Sequence, residues 1–111
     1  MQKPVIVVHG GAGIWQPERV GLGVKGVKEA AKVGFEILRR NGSALDAVET
    51  AVIEMEDNEV FNAGLGSALT IDKQIEMEAS IMDGKTLNAG AVGLLHDIKN
   101  PIHLALSLIH I

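Results

Sequence analysis

Cysteine and tyrosine are absent from the sequence, and its 111 residues include only one tryptophan and two phenylalanines. Without cysteine, a disulfide framework and a thiolate zinc site are both excluded. No apolar run reaches the roughly 18 residues that a membrane-spanning helix requires, and no signal peptide is recognisable. The net charge of −4 argues against a general nucleic-acid binder, which needs a basic surface. We therefore expect a soluble, cytoplasmic protein without nucleic-acid or membrane partners.

Glycine and aliphatic side chains are abundant. Thirteen residues are glycine, 47% are hydrophobic and 22% are charged, which is typical of one globular domain. The apolar patterns predict a buried strand, two helices, three antiparallel strands and a third helix. The predicted strands cover residues 5–8, 68–71, 75–82 and 89–95, and the predicted helices cover 25–40, 44–57 and the segment from 101, with 14–26 irregular. This order indicates an α+β fold, or a layered αββα fold, rather than a βαβ alternation.

Local signals mark the ends of the predicted helices. Asn41-Gly42 is typical of a helix end, and a connection this short makes the first two helices antiparallel neighbours. Ser43 is predicted to cap the second helix, with Asp46 completing a near capping box. Asn100-Pro101 is predicted to start the third helix, because proline is favoured in a first turn.

The first candidate site is the glycine-rich segment His9-Gly10-Gly11-Ala12-Gly13, which follows the predicted buried strand. One interpretation is a tight turn that lets a helix approach a sheet. Another is a phosphate cradle of backbone N–H groups, similar to the first loop of amino-acid kinases. The segment is not a P-loop, because no Gly-Lys-Ser/Thr follows it.

The second candidate site is the loop 60–67, in which Gly64 and Gly66 flank one apolar residue. It is either a simple exit from the second helix, with Phe61 filling the core, or a rigid loop whose carbonyls turn inward to hold a hard monovalent cation. Asn62 offers this loop both a donor and an acceptor. The acidic residues beside it are expected to form a solvated helix end; they are Glu54, Glu56, Asp57 and Glu59.

The histidines do not predict a metal site. His96, His103 and His110 are each seven residues apart, and on one helix that spacing separates them by roughly 10 Å per step. Trp15, in a segment rich in glycine and proline, is interpreted as a lid over the core. No Ser-His-Asp or Cys-His arrangement is recognisable.

Five short segments, in one order, carry a resemblance to a known family. They are residues 8–13, 43–48, 61–67, 79–84 and 88–92, within a stretch that covers residues 3 to about 105. Together they resemble the N-terminal part of plant-type L-asparaginase/isoaspartyl peptidase, an N-terminal-nucleophile hydrolase. The resemblance implies an αββα sandwich, of which this chain holds an incomplete part, and in its full-length form a dimer of αβ units.

The resemblance also implies a mechanism and a set of site residues. A precursor cleaves itself before an internal threonine, whose new α-amine acts as base while its hydroxyl attacks the side-chain amide of asparagine or an isoaspartyl bond. The nucleophilic threonine has no counterpart in this chain, so we expect residues 1–105 to be catalytically inert alone. No organic cofactor is implied. The implied active-site support residues are His9, Gly10, Gly11, Gly13 and Asn62. The implied ligands of a structural sodium ion are the backbone carbonyls of Met55, Glu56, Asn58, Phe61, Ala63 and Leu65.

The last six residues, 106–111, do not fit the family pattern. The hexapeptide Leu-Ser-Leu-Ile-His-Ile is what CTG TCT CTT ATA CAC ATC encodes, a common adapter sequence of DNA libraries. We interpret it as a non-native tail from adapter read-through; the alternative is a genuine apolar end of the third helix. Two other functions stay open beside the amidohydrolase: a phosphate-binding domain of amino-acid-kinase type, and a small non-catalytic interaction domain.

Overall fold

The computed structural model describes residues 3–111, so the first two residues of the predicted N-terminal portion lie outside the described part. Its helices are α1 (Pro17–Arg39), α2 (Ala44–Glu56) and α3 (Pro101–Ile109), and its strands are β1 (Met77–Met82) and β2 (Ala89–Leu95). A short 3-10 turn covers Gly64–Gly66. The α+β class is therefore confirmed. None of the helices within residues 3–111 is both long enough and apolar enough to cross a bilayer.

Helices α1 and α2 form a hairpin whose ends follow the predicted signals. Asn41 takes a positive φ of 64°, and the N–H of Gly42 donates to the carbonyl of Ile37 at 2.8 Å. The hydroxyl of Ser43 accepts a hydrogen bond from the N–H of Asp46 at 3.0 Å, which confirms the predicted cap. Small residues let the helices approach closely: a Cβ added at Gly34 on α1 would lie 2.9 Å from the carbonyl of Ala47 on α2.

Helix α1 begins at Pro17 and not at Lys25, so the prediction of an irregular segment over 14–26 is wrong for most of that range. Proline at the first helical position favours this start. Glycines inside a helix cost stability, and tertiary packing offsets that cost here. A Cβ at Gly23 would lie 2.7 Å from the ring of Trp15, and one at Gly26 would lie 2.6 Å from the ring of Phe61.

Strands β1 and β2 form an antiparallel hairpin, with Ile81 opposite Gly90 and an irregular register near Met77. The connection is held by Asp83, whose carboxylate accepts hydrogen bonds from the N–H of Lys85 at 3.0 Å and the hydroxyl of Thr86 at 2.8 Å. These bonds, the one from the Lys85 N–H foremost, lower the pKa of Asp83. Helix α3 covers this hairpin, and the core between them consists of Ile81, Ile102, Ala105 and Leu106.

Two predicted strands are absent from the described residues, those over 5–8 and 68–71. Val5 and Val7 are 78% and 88% exposed, because no other segment within residues 3–111 lies alongside to pair with them. Residues 70–74 form a tight turn instead of a strand pair: the N–H of Thr70 donates to the carbonyl of Gln74 at 2.8 Å. β1 also starts at Met77 rather than residue 75.

Helix α3 starts at Pro101, as predicted, and continues through Ile109. It therefore includes four of the six residues interpreted as a non-native tail, and Leu106 among them is buried. The origin of residues 106–111 stays a prediction.

Candidate functional site

A cleft of about 520 Å³ lies where the N-terminal glycine segment meets the end of α2 and the loop after it. Its walls include every residue predicted to support an active site: His9, Gly10, Gly11, Gly13 and Asn62. Trp15 and Arg19 also line it. The structure thus brings the two candidate segments to the same cavity, although more than a whole helix separates them in sequence. The roles of these residues stay predictions.

The glycine segment is held by its own histidine. The N–H of Gly11 donates to Nδ1 of His9 at 3.0 Å, and Gly11 has a φ of +113°, which favours glycine. Because Nδ1 accepts this bond, a neutral His9 carries its proton on Nε2. Gly10 is close to Phe61, where an added Cβ would lie 3.1 Å from the ring. His9 can therefore present a donor from a fixed position.

Phe61 and Asn62 have different roles in the loop after α2. Phe61 is 4% exposed and meets Trp15 edge to face, with ring centroids 6.0 Å apart and an interplanar angle of 76°. Trp15 thus packs over the core, as the lid interpretation predicts. The side-chain oxygen of Asn62 accepts a hydrogen bond from the N–H of Ala68 at 2.8 Å. This bond orients the amide, whose Nδ2 hydrogens are donors suited to a carbonyl or an oxyanion.

The carbonyls predicted to hold sodium run from the last two residues of α2, Met55 and Glu56, into the turn that follows the helix. Those of Met55, Asn58 and Ala63 each accept one backbone hydrogen bond, at 3.2, 3.2 and 3.0 Å, which leaves each a second lone pair. Gly64, with a φ of +51°, packs directly on the carbonyl of Glu56, where no Cβ would fit. Leu65 keeps an exposed side chain, 68% accessible, while its backbone continues the turn.

The carbonyl of Glu59, which the sequence pattern does not indicate, lies beside Gly66 in this turn. The α-carbon of Gly66 packs against the carbonyls of both Phe61 and Glu59, and neither contact leaves room for a side chain. Backbone oxygens without side-chain thiols or imidazoles are a donor set suited to a hard cation such as sodium. The chemistry of these donors therefore fits the predicted ion, whose binding stays a prediction.

The side chain of Glu56 corrects the prediction of a solvated acidic helix end. It is only 3% exposed, and its oxygens accept hydrogen bonds from Nδ2 of Asn100 at 3.2 Å and from the N–H of Ile102 at 3.1 Å. Burial raises the pKa of Glu56, and the bonds from Ile102 and Asn100 oppose that rise. Glu54, Asp57 and Glu59 are exposed, as predicted.

His103 lies on α3 and His96 lies before it, and the two histidines have different surroundings. Nδ1 of His103 lies 2.9 Å from a carboxylate oxygen of Glu49 on α2, and His96 follows β2 at the rim of a different cavity. Throughout the described part of the chain, no three or more His, Cys, Asp or Glu side chains are grouped so that they could hold a metal ion.

The family model for asparaginase, Asparaginase_2, matches residues 2–110 of the sequence. A plant-type L-asparaginase of Pyrococcus horikoshii is 58% identical over 101 residues, which are 90% of this chain and 33% of the relative. Isoaspartyl peptidase/L-asparaginase proteins of Danio rerio and Homo sapiens are 55% and 53% identical, over 92% and 93% of this chain and 33% and 34% of their own length. The chain spans about a third of the length of these curated relatives. A match over nearly its whole length shows that the chain belongs to the asparaginase family Asparaginase_2.

Proposed function

We propose that this chain is the N-terminal portion of an amidohydrolase that converts L-asparagine to aspartate and ammonia, cleaves isoaspartyl dipeptides, or does both. The observation that supports it is the cleft shared by the His9–Gly13 segment and Asn62. The relatives that are 53–58% identical are described as L-asparaginases and isoaspartyl peptidases. The amino-acid-kinase alternative, which predicts a βαβ alternation, is less well supported, because the elements within residues 3–111 follow the order α1, α2, β1, β2, α3.

In the proposed reaction, the nucleophile is the N-terminal threonine that self-cleavage exposes, and this threonine belongs to a part of the full-length protein outside these 111 residues. Its hydroxyl attacks the side-chain carbonyl carbon while its α-amine takes the hydroxyl proton. The same amine passes that proton to the nitrogen of the scissile bond, which leaves as ammonia or as the amino acid that was joined through the isoaspartyl bond, and the aspartyl group stays as an ester on the threonine. Water then hydrolyses the acyl-enzyme and releases aspartate. Asn62 and the backbone donors of the glycine segment support the nucleophile's surroundings and the geometry of self-cleavage.

The proposal extends to the architecture around this site. The α1–α2 pair and the α3–hairpin unit are parts of an αββα sandwich, and the full-length protein is a cytoplasmic dimer of αβ units. A sodium ion, when bound to the carbonyls of the turn after α2, would hold that turn in one conformation. The 111 residues alone are proposed to be inactive, because they supply support groups and no nucleophile.

A chimera tests the proposed function directly. Residues 3–105 replace the aligned part of the Pyrococcus horikoshii enzyme, and we measure self-cleavage on gels, ammonia from L-asparagine and aspartate from an isoaspartyl dipeptide. We expect the chimera to cleave itself and to release product, and the 111-residue chain to release none. In the chimera, Asn62→Ala should reduce turnover about a hundredfold, the order of effect of losing one positioned donor.

The matched control is Asn88→Ala, which removes the same amide from the β1–β2 connection, outside the cleft. It should leave turnover unchanged. A chimera that folds, as judged by circular dichroism and a cooperative melt, yet hydrolyses neither substrate would contradict the proposed function.

A further inference from the structure

Glu56 belongs to two structural units at once. Its carbonyl lies against Gly64 in the turn after α2, and its carboxylate reaches the start of α3, 46 residues further along the chain. Helix α3 has no capping side chain of its own, since Asn100 makes no cap hydrogen bond at that helix. The carboxylate therefore satisfies an N–H at the start of α3 and places negative charge at the positive end of its dipole.

The charge of Glu56 is buried among neutral donors. Within residues 3–111, the ion pairs that form use other carboxylates, on Glu36, Glu49 and Asp57, and none uses Glu56. A buried carboxylate without a countercharge costs free energy, which neutral hydrogen bonds offset only in part. A cation bound by the carbonyls of the adjoining turn would provide the missing positive charge nearby.

We propose that Glu56 is a positioning residue that couples cation binding at the turn after α2 to the docking of helix α3. One residue fixes both ends of this link: its backbone supplies an oxygen to the turn, and its carboxylate anchors residues 100–102. The proposal rests on the sodium site of the proposed function and adds a linkage to it. Because linkage is reciprocal, the cation stabilises the start of α3, and the docked helix raises affinity for the cation.

Hydrogen exchange measured by mass spectrometry on the 111-residue chain tests this coupling without any enzyme assay. Exchange is followed during titration with sodium chloride at constant ionic strength, with choline chloride as the balancing salt. In the unmodified chain, sodium should slow exchange over residues 56–66 and over 101–109 with one shared half-saturation concentration.

The informative variant is Glu56→Gln, which keeps the size of the side chain but removes its charge and one acceptor. We expect the half-saturation concentration for the turn to rise about tenfold, equivalent to about 1.4 kcal/mol, and sodium protection of α3 to disappear. The matched control is Glu49→Gln, because Glu49 also joins α2 to α3, through His103, but has no carbonyl in the turn. This control should leave the half-saturation concentration unchanged.

Should Glu56→Gln fail to fold, as shown by lost protection in the β1–β2 hairpin, Asn100→Ala replaces it as the test. It removes one donor to Glu56 and should shift sodium binding in the same direction by a smaller factor. If sodium protects the turn with the same half-saturation concentration in both variants as in the unmodified chain, the coupling is overturned and the cation site is not. If sodium slows exchange nowhere in the chain, both the coupling and the cation site are overturned. The turnover of the chimera tests the proposed amidohydrolase function separately.

Discussion

The segment Val5–Val8 and strand β2 reverse what their residues favour in isolation. The first is a run of β-branched side chains, the residue type most enriched in strands, yet it pairs with no other segment within residues 3–111 and Val7 is 88% exposed. The second includes Gly90 and Gly93 and otherwise mostly small side chains, yet it is paired with β1. A partner strand decides the outcome, because a strand is stabilised by the hydrogen bonds and side-chain pairs it makes with a neighbour. Intrinsic preference is a weaker influence than this pairing.

The same contrast extends to packing. β2 lies under α3, and Gly90 lets the backbone of that helix approach so closely that a Cβ would meet the carbonyl of Ala105. In the N-terminal segment the close contacts are those of Ile6 with Gly34 and of Gly10 with Val27, both on α1, while Val5 and Ile14 are open to solvent. We therefore expect the stability of the isolated chain to be concentrated in the hairpin and α3.

The largest effect is expected for Ile102→Ala, in the core between α3 and the hairpin. Ile102 is 3% exposed, so the substitution leaves a cavity and should destabilise the chain by about 3 kcal/mol. Leu108→Ala, on the same helix at 40% exposure, is the control and should cost about 0.5 kcal/mol. Urea unfolding followed by circular dichroism measures both. Equal effects of the two substitutions would show that this core does not dominate stability.

A matched pair of isosteric substitutions compares the two segments directly. Val92→Thr places a hydroxyl in β2 beside the core and should destabilise the chain by about 1 kcal/mol. Val7→Thr makes the same change in the exposed segment and should alter unfolding by less than about 0.5 kcal/mol. Its main effect should be weaker self-association in sedimentation velocity, because an exposed run of β-branched apolar residues can pair with another chain and aggregate. A larger loss of stability from Val7→Thr than from Val92→Thr would reverse the comparison.

The smallest effect concerns pH and lies at the exposed end of α1. A hydrogen bond from Arg39, with Arg40 close by, lowers the pKa of Glu36 from 4.5 to about 2. A carboxyl whose pKa is depressed by folding stabilises the folded state above its unfolded pKa. That contribution should be lost as the pH falls from about 4.5 to about 2, seen as fraying of the last turn of α1 in NMR. Glu36→Gln should remove this pH dependence, and a variant that still frays over the same range would contradict the assignment to Glu36.

The elements predicted correctly are those whose signals are local. Ser43 caps α2 through a residue three positions away, and Pro101 starts α3 by its own ring geometry. The start of α1 is not predicted, because glycine disfavours a helix. In the structure, Trp15 and Phe61 occupy the space beside Gly23 and Gly26. The predicted strand over 5–8 is wrong, since a sequence pattern indicates a strand without supplying its neighbour.

The candidate site shows the same division. The resemblance predicts His9 and Asn62 as one group, and their common cleft is a product of how the glycine segment lies against α2. The buried role of Glu56 has no local signal, because its partner Ile102 is 46 residues away in sequence. The one available hint is that α3 begins without a capping side chain of its own.

Trp15 gives the cleft a built-in optical reporter. It is the only tryptophan, the chain has no tyrosine, and its indole both lines the cleft and stands edge to face on Phe61. Intrinsic emission therefore comes from a single position, in the cleft that His9 and Asn62 also line. A molecule that enters the cleft displaces water from one face of that indole and shifts its emission to shorter wavelength, so occupancy can be followed in the unlabelled protein.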